Sequence, residues 1–154
     1  MSLSIDIALS EDHQSIDGYF DAYLEEKRKP GGNVLQSFRT YKASLLRHIK
    51  CEEDLIFPIL AKASDEPASV EVSTLRDEHQ IIVPLLMEVE KHIKEGKDST
   101  SVERKLFEDL HEHNAREELK VYRALDRLLS ESQKQEAAEA LKSMRFFPGT
   151  ASLP

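Results

Sequence analysis

Four histidines and two glutamates stand where helical spacing predicts side chains that face the interior of a fold. Apolar residues three or four positions away mark the inward stripe around each histidine, as Leu9 and Ile16 do around His13. A carboxylate buried without a partner costs several kcal/mol or is forced to take up a proton, so such a set requires a compensating cation. The candidate metal ligands are His13, His48, Glu52, His79, His113 and Glu117.

The His-x-x-x-Glu spacing has a direct geometric meaning. Residues four apart stack on one face of a helix about 6 Å apart, so His48 can ligate one ion while Glu52 bridges to a neighbouring one. His113 and Glu117 repeat that arrangement. Imidazole and carboxylate ligands without thiolate suit iron, manganese or zinc. Cys51 is the single cysteine, which excludes a thiolate-only zinc site, an iron–sulfur cluster and an internal disulfide.

The two halves of the chain carry the same pattern. Residues 48–60 align without a gap with residues 113–125 and share His-x-x-x-Glu-Glu-x-x-(Ile/Val)-(Phe/Tyr)-x-x-Leu. A second similarity lies upstream of each of these segments, where residues 11–16 resemble residues 77–82. We therefore expect two similar helical hairpins around a pseudo-two-fold axis, with a site on that axis that receives equivalent ligands from each half.

The same residues taken singly leave an alternative open. One histidine on an apolar face is more often a core residue with a hydrogen-bond partner, and one His-x-x-x-Glu pair is more often a surface ion pair. A metal-free bundle with buried polar contacts is thus the competing interpretation, which the repetition on four helices disfavours. Glu118 is an alternative ligand, and Tyr41 lies two turns before His48. His92 and His111 are expected at the surface.

Long helical stripes and three turn signals organise the chain. The turn signals at 29–33, 64–67 and 96–99 separate stripes that predict helices. Thr100 and Glu103 fit a capping box at the start of the fourth helix. Short loops between long helices favour an all-α, up-down-up-down four-helix bundle followed by a short extra helix. The predicted helices cover 5–28, 34–62, 68–95, 100–130 and 132–144.

The division of the chain follows from these elements. Residues 1–130 are expected to form the bundle, and residues 131–154 the short C-terminal helix and a tail. Phe146 and Phe147, in that tail, are expected to dock back on the bundle because large apolar side chains usually bury themselves.

Composition and charge indicate an ordinary globular domain. The 154 residues are 40% hydrophobic and 32% charged, and a chain of this length can bury one proper core. The formal net charge of −8 disfavours nucleic acid and anionic membranes as partners. There is no apolar run of membrane-spanning length and no evident signal peptide, and the lone cysteine fits a reducing compartment. We expect a cytoplasmic protein, and a homodimer stays open.

These motifs resemble the hemerythrin-like (HHE cation-binding) family over nearly all four predicted helices. The matching pieces are Asp12-His13-x-x-Ile16, His48-Ile-x-x-Glu52-Glu53-x-x-Ile56-Phe57-Pro58, Glu78-His79-x-x-Ile82 and Glu112-His113-x-x-x-Glu117-Glu118. The resemblance implies a bundle with a carboxylate-bridged pair of non-haem iron ions that binds dioxygen, nitric oxide or a similar small ligand; zinc or manganese can replace iron in a recombinant sample. The implied ligand sets are His13 and His48 for one ion, His79 and His113 for the other, and Glu52 and Glu117 as bridges.

The chain departs from the oxygen-carrying hemerythrins at two places. Val83 stands where those proteins have a further histidine, one turn after the histidine matched by His79. They also carry His-x-x-x-x-Asp where this chain has His113-x-x-x-Glu117. With one histidine fewer, an additional coordination position is expected to be open or filled by water. Ferritin-like di-iron proteins fit poorly, because they use Glu-x-x-His.

The expected function is that of a di-iron binding protein rather than an enzyme. The departures fit the family members implicated in sensing, iron handling or nitric-oxide-linked repair of iron–sulfur clusters, and so favour a role in sensing or in iron and redox stress. The alternatives are a di-iron enzyme acting on peroxide or nitric oxide or in cluster repair, a mononuclear zinc or structural bundle, and a helical partner-binding module.

Overall fold

The computed structural model describes residues 4–63 and 66–145, and these residues fold into five helices. These residues contain no strand, so the predicted all-α class and the short fifth helix are confirmed. Phe146 and Phe147 lie outside the described residues. The helices are α1 (Ile5–Arg28), α2 (Val34–Cys51, Glu52–Ile56 and Phe57–Ala63 in one continuous run), α3 (Glu66–Lys94), α4 (Thr100–Arg116, Glu117–Tyr122 and Arg123–Leu128, also continuous) and α5 (Glu131–Arg145).

The first four helices form two antiparallel hairpins. Helix α1 packs mainly on α2, and α3 packs mainly on α4, while α2 contacts α3 and α1 contacts α4 to close the bundle. Gly96 ends the turn after α3 with a φ of 69°, and the Lys97 amide donates a hydrogen bond to the His92 carbonyl at 2.8 Å. A residue in this left-handed conformation is the usual way to stop a helix, and glycine adopts it without steric cost.

The start of α4 differs from the predicted capping box. The Asp98 carboxylate accepts hydrogen bonds from both the amide and the hydroxyl of Thr100. Glu103 is buried and accepts hydrogen bonds from the Ser99 hydroxyl and the Lys27 ammonium. The capping-box prediction was wrong, because a basic side chain from α1 supplies a stronger partner for Glu103 than a backbone amide does.

Helices α2 and α4 each contain one π-helical segment, and the two segments lie at equivalent places of the repeat. They begin at Glu52 and Glu117, directly at the predicted carboxylate ligands. Pro58 follows the segment in α2, whereas Arg123 stands at the equivalent place in α4. Proline is therefore not the common cause of the two π segments, and such segments often occur at functional sites.

The apolar core is divided into two clusters. The α5-side cluster includes Leu9, Phe57, Leu75, Leu125 and, from α5, Leu141. The loop-side cluster includes Ile16, Phe38, Leu45, Leu86 and Leu110. On each of the first four helices the predicted histidine lies close to the point where residues of one cluster are followed by residues of the other, so a polar layer separates the clusters. None of the described helices is long and apolar enough to cross a membrane.

Candidate metal centre

The structure brings all six predicted ligands together in the polar layer. Each histidine is almost fully buried, and both glutamates have no exposed surface. Every one of the first four helices contributes one histidine, and α2 and α4 each add a glutamate from the start of their π segments. The half-chain repeat therefore gives a site in which the two hairpins make equivalent contributions.

The six side chains form two overlapping groups of four. We call the side of the first histidine pair, His13 and His48, the first position, and the side of the second pair, His79 and His113, the second position. Within each group the ligand atoms lie within 4.8 Å of one another, which is close enough for a single metal ion. Both groups include Glu52 and Glu117, so the grouping agrees with the pairing that the family resemblance implies.

Each shared carboxylate directs one oxygen to each position. Glu52 Oε1 lies 3.1 Å from His48 Nε2, and Glu52 Oε2 lies 3.4 Å from His79 Nε2. Glu117 Oε2 lies 3.2 Å from His13 Nε2, and Glu117 Oε1 lies 2.6 Å from His113 Nε2. This is the arrangement that two carboxylates need in order to bridge two neighbouring cations.

The outward nitrogen of every histidine contacts a second carboxylate. The pseudo-two-fold axis relates these contacts, since each comes from a residue directly before a histidine or directly after a bridging glutamate. The four Nδ1 contacts are Asp12 to His48 at 2.9 Å, Glu118 to His13 at 3.0 Å, Glu78 to His113 at 2.7 Å and Glu53 to His79 at 2.7 Å. The alternative ligand Glu118 thus faces the outer side of His13, not the centre.

These contacts decide which nitrogen of each histidine carries the proton. An ionised carboxylate can only accept, so Nδ1 must donate, and a neutral ring then presents the lone pair of Nε2 to the centre. His79 Nε2 and His113 Nε2 lie 3.0 Å apart. Two imidazole nitrogens bound at about 2.1 Å to one ion, with a right angle between the bonds, would lie about 3 Å apart. The donor set therefore fits a cation.

Two buried oxygens of the two shared glutamates have no hydrogen-bond partner among the described residues. They are Glu52 Oε2 and Glu117 Oε1, and both face the second position. The short approach of Glu117 Oε1 to His113 Nε2 is a contact between two acceptors when that ring is neutral. Buried carboxylate oxygens are normally hydrogen-bonded or bound to a cation, so these two atoms also fit a metal ligand role.

The charges of the centre shift its pKa values strongly. Burial opposes protonation of His79, but the nearby carboxylates of Glu117 and Glu52 outweigh it and raise the pKa of His79 to about 10. The pKa of His48 is also raised, because the Glu52 charge and the Asp12 hydrogen bond outweigh its burial. Burial and the Glu117 charge oppose ionisation of Glu52, yet the histidines hold its pKa below the usual value. The site attracts positive charge, whether as protons or as metal ions.

Tyr122 is a residue of the centre that the sequence interpretation missed. Its hydroxyl oxygen lies among the four ligand atoms of the first position, and it donates a hydrogen bond to Glu52 Oε1 at 2.6 Å. Burial and the charges of Glu117 and Glu52 raise the pKa of Tyr122 well above its usual value, so the hydroxyl keeps its proton. The remaining distances are 3.1 Å to His13 Nε2, 3.4 Å to His48 Nε2 and 3.1 Å to Glu117 Oε2.

The repeat contained a signal for Tyr122, because Phe57 occupies the same place in the first half. The Phe57 ring stacks on His79 with a centroid distance of 5.7 Å and carries no polar atom. The two positions thus differ by one hydroxyl group. Tyr41, the tyrosine singled out from the sequence, instead packs against Phe20 and Phe38 in the loop-side cluster.

Two arginines support the outer carboxylates of the second position. Arg76 Nε lies 3.2 Å from Glu53 Oε2, and the Arg116 guanidinium contacts Glu78. Glu118, by contrast, has 45% of its side chain exposed and contacts no lysine or arginine in the described part of the chain. The rings of the second position are therefore more firmly held than the ring of His13.

Comparison with known families identifies the domain type. The model of a family described as the hemerythrin HHE cation binding domain matches residues 5–125. That range includes all six candidate ligands and Tyr122, and it ends before α5. Comparison with curated proteins and comparison with solved structures each gave no match.

Proposed function

Because the chain belongs to the hemerythrin HHE cation-binding family, we propose that it is a non-haem di-iron protein that binds dioxygen, nitric oxide or a similar small ligand. The role is in sensing or in the response to iron and redox stress. The lone Cys51 fits a cytoplasmic location. The proposed ligands are His13, His48, Glu52, His79, His113 and Glu117.

The bridging geometry of the two glutamates is the observation that carries the proposal. Glu52 and Glu117 each direct one oxygen to either histidine pair. A single ion would use only one pair and leave the Nε2 lone pairs of the other pair facing buried carboxylate oxygens. Two cations compensate both carboxylates and all four rings, so a pair of ions fits these residues better than one.

The second position is the proposed place for the small ligand. Iron there would supply an open coordination position, because Val83 stands one turn after His79 where oxygen-carrying relatives have a further histidine. Phe57 lines the same side with an apolar ring, and His79 is buried. An apolar wall limits water access and so favours a neutral diatomic ligand over water.

A second candidate function is an enzyme that consumes peroxide or nitric oxide. The observation that favours it is the buried hydroxyl of Tyr122, which keeps its proton and can act as a proton donor within the centre. Consumption of peroxide or nitric oxide by the iron-loaded protein would support the enzyme. Stable binding without consumption would support the binding protein.

Metal analysis after reconstitution with Fe²⁺ tests the main proposal. We expect two irons per chain and, after exposure to air, the near-ultraviolet absorption of a bridged ferric pair. The Glu112→Gln variant is a suitable control, because Glu112 is exposed and next to His113. One zinc per chain in place of iron, or no bound iron after reconstitution, would contradict the proposal.

A further inference from the structure

We propose that the two cation positions are unequal: the cation of the first position is exchangeable, and Tyr122 takes over its contacts when it leaves. The cation of the second position is retained. This inference rests on the proposed two-ion centre. It assigns to Tyr122 the role of a positioning residue that stabilises the partly loaded protein.

The hydroxyl of Tyr122 already lies among the ligand atoms of the first position and supplies one of them with a hydrogen-bond donor. It donates to Glu52 Oε1 at 2.6 Å and lies 3.1 Å from both His13 Nε2 and Glu117 Oε2. A hydroxyl has one proton to donate, and the shortest of these distances assigns it to Glu52 Oε1. Loss of the cation from the first position therefore leaves Glu52 Oε1 with a hydrogen-bond donor already in place.

The second position has no such substitute. Phe57 stands at the place equivalent to Tyr122 and offers only an aromatic face. Both orphaned carboxylate oxygens, Glu52 Oε2 and Glu117 Oε1, face this position. The Nε2 atoms of His79 and His113 also face each other at 3.0 Å. Loss of the cation here would leave Glu52 Oε2 and Glu117 Oε1 without the hydroxyl donor that Glu52 Oε1 has at the first position, which is costly at a buried site.

The contacts of the outer carboxylates also indicate that the ligands of the second position are held more firmly than those of the first. Arg76 and Arg116 hold Glu53 and Glu78, so the rings of His79 and His113 are fixed from behind. His13 depends on Glu118, which is 45% exposed and has no basic partner in the described residues. His13 is therefore the ligand that can most easily turn away from the centre, and it belongs to the first position.

The consequence is a protein that can give up one metal ion without losing its fold or its second ion. A chelating partner of sufficient affinity would remove the cation of the first position and leave a stable, singly loaded protein. Such behaviour suits a role in iron handling, because delivery of one ion need not expose an empty centre.

Release of Fe²⁺ to excess ferrous chelator, without oxygen, tests this inference. Protein loaded with two Fe²⁺ ions should release them in two phases of equal amplitude, one fast and one slow. Tyr122→Phe removes only the substitute hydroxyl, so we expect its fast phase to slow severalfold towards the slow one. Phe57→Tyr places a hydroxyl at the second position and should accelerate the slow phase. Tyr19→Phe, at an exposed tyrosine, is the matched control and should release like the unmodified chain.

Three results would overturn the inference. Two ions that leave the unmodified chain at one rate would show that the positions are equivalent. A faster first phase in Tyr122→Phe would show that the hydroxyl helps to hold the ion and does not replace it. If Phe57→Tyr fails to fold, the result for Tyr122→Phe alone decides this point. A chain that loads fewer than two ions would contradict the proposed centre and the inference together.

Discussion

Each histidine of the centre has separate tasks for its two ring nitrogens. The outer Nδ1 contacts a carboxylate that orients the ring, while the inner Nε2 faces the bridging glutamates. Outer partners of this kind fix the tautomer and raise the basicity of a metal ligand. Metal binding at the site thus depends on both contacts of each histidine, the outer one at Nδ1 and the inner one at Nε2. A change at one of these partners therefore affects both the charge and the geometry of the centre.

Substitution of the bridging glutamates is the sharpest test of their equivalence. Glu52→Gln and Glu117→Gln should each lose both irons after reconstitution, because either carboxylate serves both positions. Metal content per chain checks this result, and Glu112→Gln is a control that alters an exposed carboxylate outside the centre. Loss of one ion only, or full loss in only one of the two variants, would contradict the pseudo-symmetric bridging arrangement.

The stability of the metal-free protein should depend on pH in a defined window. The pKa of His79 is about 10 in the fold against 6.5 in the unfolded chain, so the folded state binds this proton more tightly. The resulting stabilisation is complete below pH 6.5 and is lost as the pH rises to about 10. The lowered pKa values of Glu52 and Glu117 affect stability at acidic pH. The stabilisation that these two carboxylates provide is present above their usual pKa of 4.5 and is lost as the pH falls below it.

Thermal unfolding across that range measures the effect. The midpoint temperature of unfolding of the metal-free protein should decrease as the pH rises from 6.5 to about 10. The iron-loaded protein should change much less, because the cations take the place of the protons. Metal-free His79→Gln should show a weaker dependence than the unmodified chain. A midpoint temperature that does not change with pH in the metal-free protein would rule out this electrostatic account.

The π segments explain how two helices each supply several groups to the centre. In an α-helix, residues five apart point about 140° away from each other. A π turn closes between residues five apart, so Glu117 and Tyr122 come to the same side of α4, as Glu52 and Phe57 do in α2. Each π segment thus acts as one extra residue inserted into an otherwise regular helix.

Deletion of a single residue distinguishes an inserted residue from a regular part of the helix. Removal of Leu119, which is 55% exposed, should turn the π segment into α-helix and keep the helix on both sides in register. The deletion variant should fold and unfold near the temperature of the unmodified chain. Removal of the exposed Glu108 from the regular part of α4 should rotate the residues on one side by about 100° and cost about 4 kcal/mol or more. Circular dichroism on heating compares the unfolding temperatures of the two deletion variants. Equal destabilisation would contradict the interpretation of the π segment as one inserted residue.

At the scale of the whole molecule, the polar layer separates two apolar clusters that stabilise the fold independently of metal. Helix α5 adds Ala137 and Leu141 to the α5-side cluster, although it lies beyond the residues matched by the family model. The sequence-based boundary at 130 stays a prediction; it falls between the end of α4 at Leu128 and the start of α5 at Glu131, and the described part of α5 packs directly against the bundle.

Truncation of a buried side chain of α5 measures that contribution. Leu141→Ala should lower the free energy of unfolding by about 3 kcal/mol, because Leu141 is 3% exposed and leaves a cavity. Urea unfolding of the metal-free protein checks the value, and Lys142→Ala at the neighbouring exposed residue should have almost no effect. The iron content of both variants should stay at that of the unmodified chain. A loss of iron in Leu141→Ala would show that α5 also supports the centre.

The sequence by itself determined the helices, the bundle and the six residues that meet in it. Apolar residues at three- and four-residue steps specify which face of each helix is buried, and the histidines and glutamates stand on that face. The repeat of His48 and Glu52 in His113 and Glu117 also predicted the pseudo-symmetry of the centre. The five observed helices, whose ends differ from the predicted ones by about two residues at most, and the family match agree with these expectations.

Only the tertiary structure decided the partners between helices and the inequality of the two positions. The periodicity of one helix does not specify its rotation against the next, so the contacts of Glu118 with His13 and of Arg116 with Glu78 could not be assigned from spacing. Tyr122 was missed because the α-helical period places it away from Glu117, whereas the π segment turns it into the centre. The hydroxyl that distinguishes the two positions depends on that local departure from α-helical geometry.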